Sequence, residues 1–428
     1  MVWGAAKGVD DIVSKIENNA IEHVYILPMR KIGSSEVKEL SDALIQTQSV
    51  QSFYASGHAM EKDGFRSMGE MLAKNTSLKN LCIGNEGMQD EGMQLLCEGM
   101  MENYTVKVWD LEFKGLGTMG IEALSGVLAS PVCVLETLNL SRNALTDEAI
   151  EILCNALLKN TTIRHLDLAE NAFTAACMPA LTRWLTSPEC RLETLVLRNN
   201  DFKNASSALG KALARNTSLI TLNLNDCQLS EVLLSSWSSF DLFHNSLHDL
   251  EMNNNELAGK TGGAYLAALL PLLTTLHRLS LSGCALLDDG ACEIATVLAS
   301  KKVASLTFLD LSKNELTYSS IRSLLQPCSL VELRLFQNRL GSGSSHLHDA
   351  LRNSSLTLLD LGANDLQGES AAHVFTALCE NTILETLEMG GNNLQVAGVA
   401  AMEALKAVRP TLDIAIDKKA PAEKENVL

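Results

Sequence analysis

The pattern LxxLxL returns through almost the whole chain, and nothing else in the sequence restricts the fold so strongly. It starts at Leu135 (LETLNLSRNAL), Ile163 (IRHLDLAENAF), Leu192 (LETLVLRNNDF), Leu219 (LITLNLNDCQL) and Leu247 (LHDLEMNNNEL), and continues at Leu276, Leu306, Leu330, Leu356 and Leu384. Looser copies begin at Ile21, Val50, Leu78 and Val106, with a terminal half-copy (LDIAI) at Leu412. These make fourteen units spaced 27 to 30 residues apart, except for two short steps of 24 and 26 residues after Leu306 and Leu330. Alternating apolar residues give a short strand with one face inward. A period kept this long means an array in which each unit is buried against its neighbours, so 428 residues need not divide into several globular cores.

The rest of each unit reads as a turn and a helix. Stretches such as TDEAIEILCNALLKN (Thr146 to Asn160) carry a capping Thr, early acids and apolar residues at helical spacing. An Asn follows the last strand Leu at a fixed distance, at Asn143, Asn171, Asn200, Asn255, Asn314, Asn338, Asn364 and Asn392, and is placed to bond backbone groups of adjacent turns; Cys227 and Cys284 replace it in two units. These residues resemble the leucine-rich-repeat family, and the period and helical second half are similar to its ribonuclease-inhibitor-like class. The resemblance covers roughly Ile21 to Ile416 and implies an α/β solenoid. Strands stack about 4.8 Å apart and helices need about 10 Å. The array must therefore bend into a horseshoe, with parallel strands on the concave side and helices on the convex side.

Three segments are expected: an N-terminal helical cap (1–20), the repeat solenoid (21–416) and a polar C-terminal tail (417–428, DKKAPAEKENVL). In the cap, Ile12, Val13 and Ile16 share one face of an amphipathic helix over Asp11 to Asn19. The short units after Leu306 and Leu330 predict the loss of about one helical turn on the convex side.

A net charge of -17 and a pI near 5.0 argue against nucleic acid, which needs clustered Lys and Arg, and favour a protein partner with a basic surface. The N-terminus MVWGAAKGVDD lacks the pattern of a secretory signal, and the longest apolar run, Ala264 to Leu273, is too short for membrane insertion. A cytoplasmic location, with cytoskeletal or flagellar association, is the expectation. The eleven cysteines form no CxxC pair and read as buried reduced thiols. Asn-x-Ser/Thr matches at Asn75, Asn103, Asn160, Asn216 and Asn353 recur just before a strand, which marks a structural turn rather than glycosylation; Asn204 stands apart.

Between the strand leucines, side chains point out of the core onto the concave face. The central column runs from Tyr25, Tyr54 and Cys82 through Asp110, Asn139, Asp167, Val196, Asn223, Glu251, Ser280, Asp310, Arg334 and Asp360 to Glu388. Glu112, Glu170, Asp226, Asp249 and Glu332 flank it, against Arg142, Arg198, Arg278 and Lys313. A basic partner is expected to be steered into this face. Two aromatic clusters are candidate anchors: Tyr25 and Tyr54 near His23 and Phe113, and Phe308 and Phe336 around Arg334.

Catalytic signals are absent from this pattern, so no cofactor, metal or enzymatic activity is assigned. AGKTGG (Ala258 to Gly263) looks like a phosphate loop, but Asn254 stands where the motif needs its first Gly. His346, His348 and Asp349 have no fourth ligand in view. The first functional expectation is a non-enzymatic scaffold, a subunit of a cytoskeletal, flagellar or signalling assembly. A second is a GTPase activator resembling the Ran GTPase-activating protein, whose class implies an acidic run after the repeats where this chain has Lys418, Lys419 and Lys424. A third is a ribonuclease inhibitor, a family richer in cysteine.

Overall fold

The computed structural model describes residues 8–30, 32–239, 246–326 and 328–416. The tail 417–428 and the first seven residues of the expected cap lie outside the described residues. The repeats divide into two compact units, the chain passing from the first to the second after Asp201.

In the first unit the strands are β1 (His23–Tyr25), β2 (Ser52–Ser56), β3 (Asn80–Gly84), β4 (Val108–Asp110), β5 (Thr137–Asn139), β6 (His165–Asp167) and β7 (Thr194–Val196). They pair in parallel and in chain order. Helix α1 (Asp10–Glu17) precedes them, and α2 (Ser34–Gln46), α3 (Lys62–Lys74), α4 (Gln89–Met100), α5 (Thr118–Leu128), α6 (Asp147–Leu157) and α7 (Met178–Leu185) alternate with them. The core lies between the two layers. Val24, Phe53, Leu81, Trp109, Leu138, Leu166 and Leu195, which stand in register from strand to strand, and helix residues such as Leu40, Met68, Leu96, Leu124 and Leu153 are all buried. In α1, Ile12 and Ile16 are buried and Arg30 holds Asp11 at 2.6 Å.

The asparagines do the work their spacing predicts. Asn143 donates to the carbonyl of Leu111 in the preceding turn, and its Oδ1 accepts the amides of Lys114 and Leu116; Asn171 repeats the arrangement one unit later. Each therefore satisfies backbone groups that the turn would otherwise leave buried and unpaired. A second asparagine ladder runs before the strands. Asn75, Asn103 and Asn160 are buried and donate to Leu44, Leu72 and Leu128, while their oxygens hold the amides that enter the next strand.

The irregular first repeats keep the ladder with other side chains. His58, 6% exposed, sits 3.1 Å from the Ile26 carbonyl through Nε2. Lys114 occupies the ladder position of its repeat and is 2% exposed; its Nζ donates to the Glu112 carbonyl at 2.7 Å and to Ser56 Oγ, two repeats back, at 3.1 Å. Thr146 stands at the cap of α6 as expected but makes no capping bond. Elsewhere the preceding repeat supplies an oxygen: Asp90 accepts the amide of Gly117 before α5, and Asp147 those of Thr174 and Cys177 before α7. Helices α3 and α4 approach so closely that a Cβ on Gly99 would lie 1.9 Å from the Gly69 carbonyl oxygen.

The second unit contains β8 (Thr221–Asn223), β9 (Asp249–Glu251), β10 (Arg278–Ser280), β11 (Phe308–Asp310), β12 (Glu332–Arg334), β13 (Leu358–Asp360), β14 (Thr386–Glu388) and β15 (Asp413–Ala415), again parallel and in order. Its helices are α8 (Ser206–Leu213), α9 (Val232–Ser238), α10 (Gly259–Leu269), α11 (Leu287–Ala299), α12 (Tyr318–Leu324), α13 (His348–Asn353), α14 (Glu369–Leu378) and α15 (Gln395–Val408). Here β15 is the half-copy at Leu412. Cys284 stands in for asparagine by donating its thiol to the Met252 carbonyl. The short units do lose helix: α12 has 7 residues and α13 has 6, against 13 in α11. One expectation fails here. Asn353 does not join the second ladder but bonds Asp349 within its own helix.

Candidate protein-binding site

The acidic column on the sheet face has a structural cause that its charge hides. Asp110, Asp167, Asp310 and Asp360 each accept, through Oδ1, the amide two residues ahead, at 2.8–2.9 Å. Asn139 and Asn223 do the same at 3.0 Å. This short loop ends the strand, and either residue type supplies the oxygen.

In the first unit the flanking acids are largely neutralised. Arg142 lies between Glu112 (3.3 Å) and Glu170 (3.6 Å), and Arg198 reaches Glu170 at 2.9 Å. Arg142 also covers Phe113, its guanidinium 5.0 Å from the ring centre. Asp167, expected on an open face, is only 7% exposed, and burial pushes its carboxyl up to about 6 against the pull of the Ala169 amide and Arg198. Tyr25 and Tyr54 stack with centroids 4.9 Å apart, and Tyr25 remains 64% exposed, so the described part of the cap does not cover it.

The second unit differs. Glu251 is held by the amides of Asn223 and Asn225 at 2.8 and 2.9 Å, and Asp249 by Arg278 at 3.2 Å. Asp226 sits in the turn with a left-handed backbone (φ 56°). Phe308, expected as an exposed anchor, is 7% exposed: Arg278 lies 3.7 Å over its ring and Arg334 5.4 Å away. Arg334 in turn bonds Glu332 at 2.7 Å.

Beside this sandwich lies a groove of about 380 Å³ lined by Asp310, Arg334, Phe336, Asp360, Glu388 and the glycines 362 and 390, among others. Asp310, Arg334, Asp360 and Glu388 are register partners on consecutive strands. The groove exists because small residues flank Phe336: a Cβ on Gly362 would stand 2.9 Å from its ring. Among the described residues no ion pair engages Asp310, Asp360 or Glu388. Burial, aided by Glu388, pushes Asp360 up to about 6, opposed by the Gly362 amide and Arg334. The sequence pointed to Arg334 and Phe336 but not to the glycines that make room beside them.

The other motifs resolve into packing. In AGKTGG, a Cβ on Gly263 would lie 2.4 Å from Gly290 of the next helix, so these glycines allow α10 and α11 to touch. His346 stacks on Tyr318 with centroids 4.8 Å apart. Among the described residues the cysteines form no disulfide, and burial pushes Cys82, Cys177 and Cys284 up to about 12, which keeps them as thiols. No described helix is long and apolar enough to cross a membrane.

A strand, an asparagine turn and a returning helix, repeated at this period, define a leucine-rich-repeat solenoid. Models of the leucine-rich repeat match residues 133–154, 159–176 and 218–240. The chain is 30% identical to the ribonuclease inhibitor of Sus scrofa over 380 residues, covering 78% of this chain and 81% of that protein. It is 25% identical over 320 residues to the NACHT, LRR and PYD domains-containing protein 5 of Mus musculus, where the match takes in 61% of this chain but only 27% of the relative. Among solved structures, one chain of the yeast Rad7 and Elc1 complex superposes with a TM-score of 0.53 at 16% identity, over 95% of this chain and 87% of that one, a likeness of fold alone. The chain belongs to the ribonuclease-inhibitor-like class of leucine-rich-repeat proteins.

Proposed function

We propose that the chain is a non-catalytic binding module that holds a protein partner against the sheet face of its repeats, with the groove of the second unit as the principal contact. The observation that carries this reading is the groove: Asp310, Asp360 and Glu388, outside any described ion pair, stand with Arg334 and Lys313 around an aromatic ring, whereas in the first unit the flanking Glu112 and Glu170 pair with Arg142 and Arg198. Such a site suits a partner with a basic surface, because partner cations supply the counter-charge that the fold leaves out. The remaining candidates, Tyr25 and Tyr54, give a second contact area in the first unit.

The test is affinity capture of the tagged chain from its native cell at two salt concentrations, comparing wild type with Asp310→Lys/Glu388→Lys and with the charge-matched control Glu369→Lys/Glu403→Lys on the helices. Proteins lost with the groove variant and retained by the control bind the sheet face, and their identity tells which assembly, cytoskeletal, flagellar or signalling, contains the chain. Equal capture by both variants rejects the groove. A GTP-loaded small GTPase in the captured set would favour the activator reading instead.

The relationship to the Sus scrofa protein supports a second reading, inhibition of a ribonuclease. It is checked by titrating a pancreatic-type ribonuclease with the purified chain; full activity at stoichiometric excess rejects it.

A further inference from the structure

Two ladder asparagines lose their usual partners at the same repeat. Asn314 holds the amides of Cys284 and Leu286, Asn338 those of Asn314 and Leu316, and Asn392 those of Asn364 and Leu366. Asn364 breaks the series. It is fully buried and donates to Leu335 and Gly362, yet its Oδ1 has no partner. By the same spacing it would serve the amides of Asn338 and Leu340, which belong to the repeat that starts at Leu330. In the second ladder Asn381 reaches back to Leu351, whereas Asn353, in that same repeat, turns onto its own helix. Ser344 adds a third defect there, a buried hydroxyl without a partner. A short 3-10 segment (Gly341–Leu347) and α13 replace a full helix in this repeat.

A buried polar group without a partner recovers its lost hydrogen bond when it meets water. This repeat therefore resists local opening less than its neighbours do. The strands do not share the weakness: β12 pairs with β11 and β13 at every residue, and the Gln337 amide bonds the Gly362 carbonyl at 2.9 Å.

We infer that the repeat from Leu330 to Ser355 is a joint within the second unit, whose turn and helix side open while β12 and β13 stay paired. The groove straddles it, with Arg334 and Phe336 contributed by this repeat and Leu358, Asp360 and Gly362 by the next. The part that opens begins at Asn338, two residues beyond Phe336, so a partner that fixes the ring against Asp360 and Glu388 biases the joint toward its closed state. The joint stands on the hydrogen bonding alone; its coupling to binding rests on the groove reading proposed above.

Hydrogen exchange of the full chain, followed by mass spectrometry, tests the joint without any partner. Amides in 339–353 are expected to exchange at least about tenfold faster than those in the equivalent segments 287–301 and 366–380, while β12 and β13 stay as protected as β10 and β14. Equal protection in the three segments, or loss of β12 together with the turn, overturns the joint. Ser344→Ala removes one orphan hydroxyl and is expected to slow exchange in 339–353 several-fold; an unchanged rate overturns the assignment of the opening to unpaired groups. A tetra-arginine peptide at low salt then probes the coupling. Slower exchange in 339–347 supports it, a peptide that binds by calorimetry without changing the rates overturns the coupling alone, and a peptide that does not bind counts against the groove and leaves the joint standing.

Discussion

Truncating two ladder asparagines of the second unit should have unequal consequences, although the sequence gives both the same role. Asn314 is completely buried; its Nδ2 donates to the carbonyls of Leu281 and Ser312, and its Oδ1 accepts the amides of Cys284 and Leu286. In Asn314→Ala both amides lose their acceptor in a dry site, at about 1–3 kcal/mol each, and the two carbonyls lose a donor at about 0.5–1 kcal/mol each. These costs overlap as the turn relaxes, so a total of about 3–5 kcal/mol is expected. Asn364 is just as buried, but its Oδ1 holds nothing, so Asn364→Ala forfeits only the bonds to Leu335 and Gly362, about 1–2 kcal/mol. Urea denaturation of the two variants beside wild type, followed by far-ultraviolet circular dichroism, measures the difference. Equal losses would refute the reasoning, because they would mean that the asparagines act through the volume they fill rather than the amides they hold.

Three further outcomes follow from the same geometry. Lys114→Ala removes a buried ammonium bonded to two repeats and should cost about 2–3 kcal/mol, whereas Lys107→Ala, whose exposed amine pairs with Glu136, should cost under about 0.5 kcal/mol; similar melting temperatures for the two variants would show that the Lys114 bonds do not hold the repeats together. Because burial raises the folded-state carboxyl of Asp360 to about 6, the native state holds that proton more tightly than the unfolded chain, so its ionisation destabilises the fold as pH climbs from about 4 to above 6. Asp360→Asn keeps an oxygen for the Gly362 amide and should be more stable than wild type by about 2 kcal/mol at pH 7.5, with the gain vanishing near pH 4; a gain independent of pH would show that charge is not the cause. Gly99→Ala forces α3 and α4 apart against backbone and should cost more than about 3 kcal/mol, read as a collapse in melting temperature or in soluble yield.

What the sequence revealed and what it hid follow from the range of each interaction. The strand, turn and helix of a unit lie within one period, so LxxLxL, the ladder asparagines and their cysteine substitutes were legible from spacing alone. Lys114 was not, because its partner Ser56 lies two repeats away and the residue type differs from the one the position usually carries. The cap bonds were hidden for a similar reason: Thr146 stands at the N-cap of α6 but makes no capping bond, while its neighbour Asp147 bonds the following repeat. Phe308 was read as open because strand alternation puts it on the outer face, yet alternation says nothing about long arginines on the neighbouring strands that fold across it. The interrupted ladder at Asn364 left a trace in the sequence, the short steps after Leu306 and Leu330, but a shortened period does not tell which hydrogen bonds have been given up.

The acidic column shows how the site can be separated from the scaffold. Asn139 and Asn223 interrupt the run of aspartates at the same strand position and make the same bond, so what the position selects is a side-chain oxygen two residues before an amide. An acid there serves the turn, and its charge is a by-product that the molecule must then manage. The first unit manages it with the alternation of Glu112, Arg142, Glu170 and Arg198, and by burying Asp167 in a site that raises its carboxyl to about 6. Around Asp310, Asp360 and Glu388 the nearby cations Arg334 and Lys313 form no described ion pair with them, and the residues after β13 and β14 shrink to glycine where a long side chain would have reached across. Turn formation explains the side-chain oxygen at Asp310 and Asp360. It does not explain Glu388, which makes no such bond among the described residues, or the empty volume beside Phe336, and these are the features on which a binding role rests.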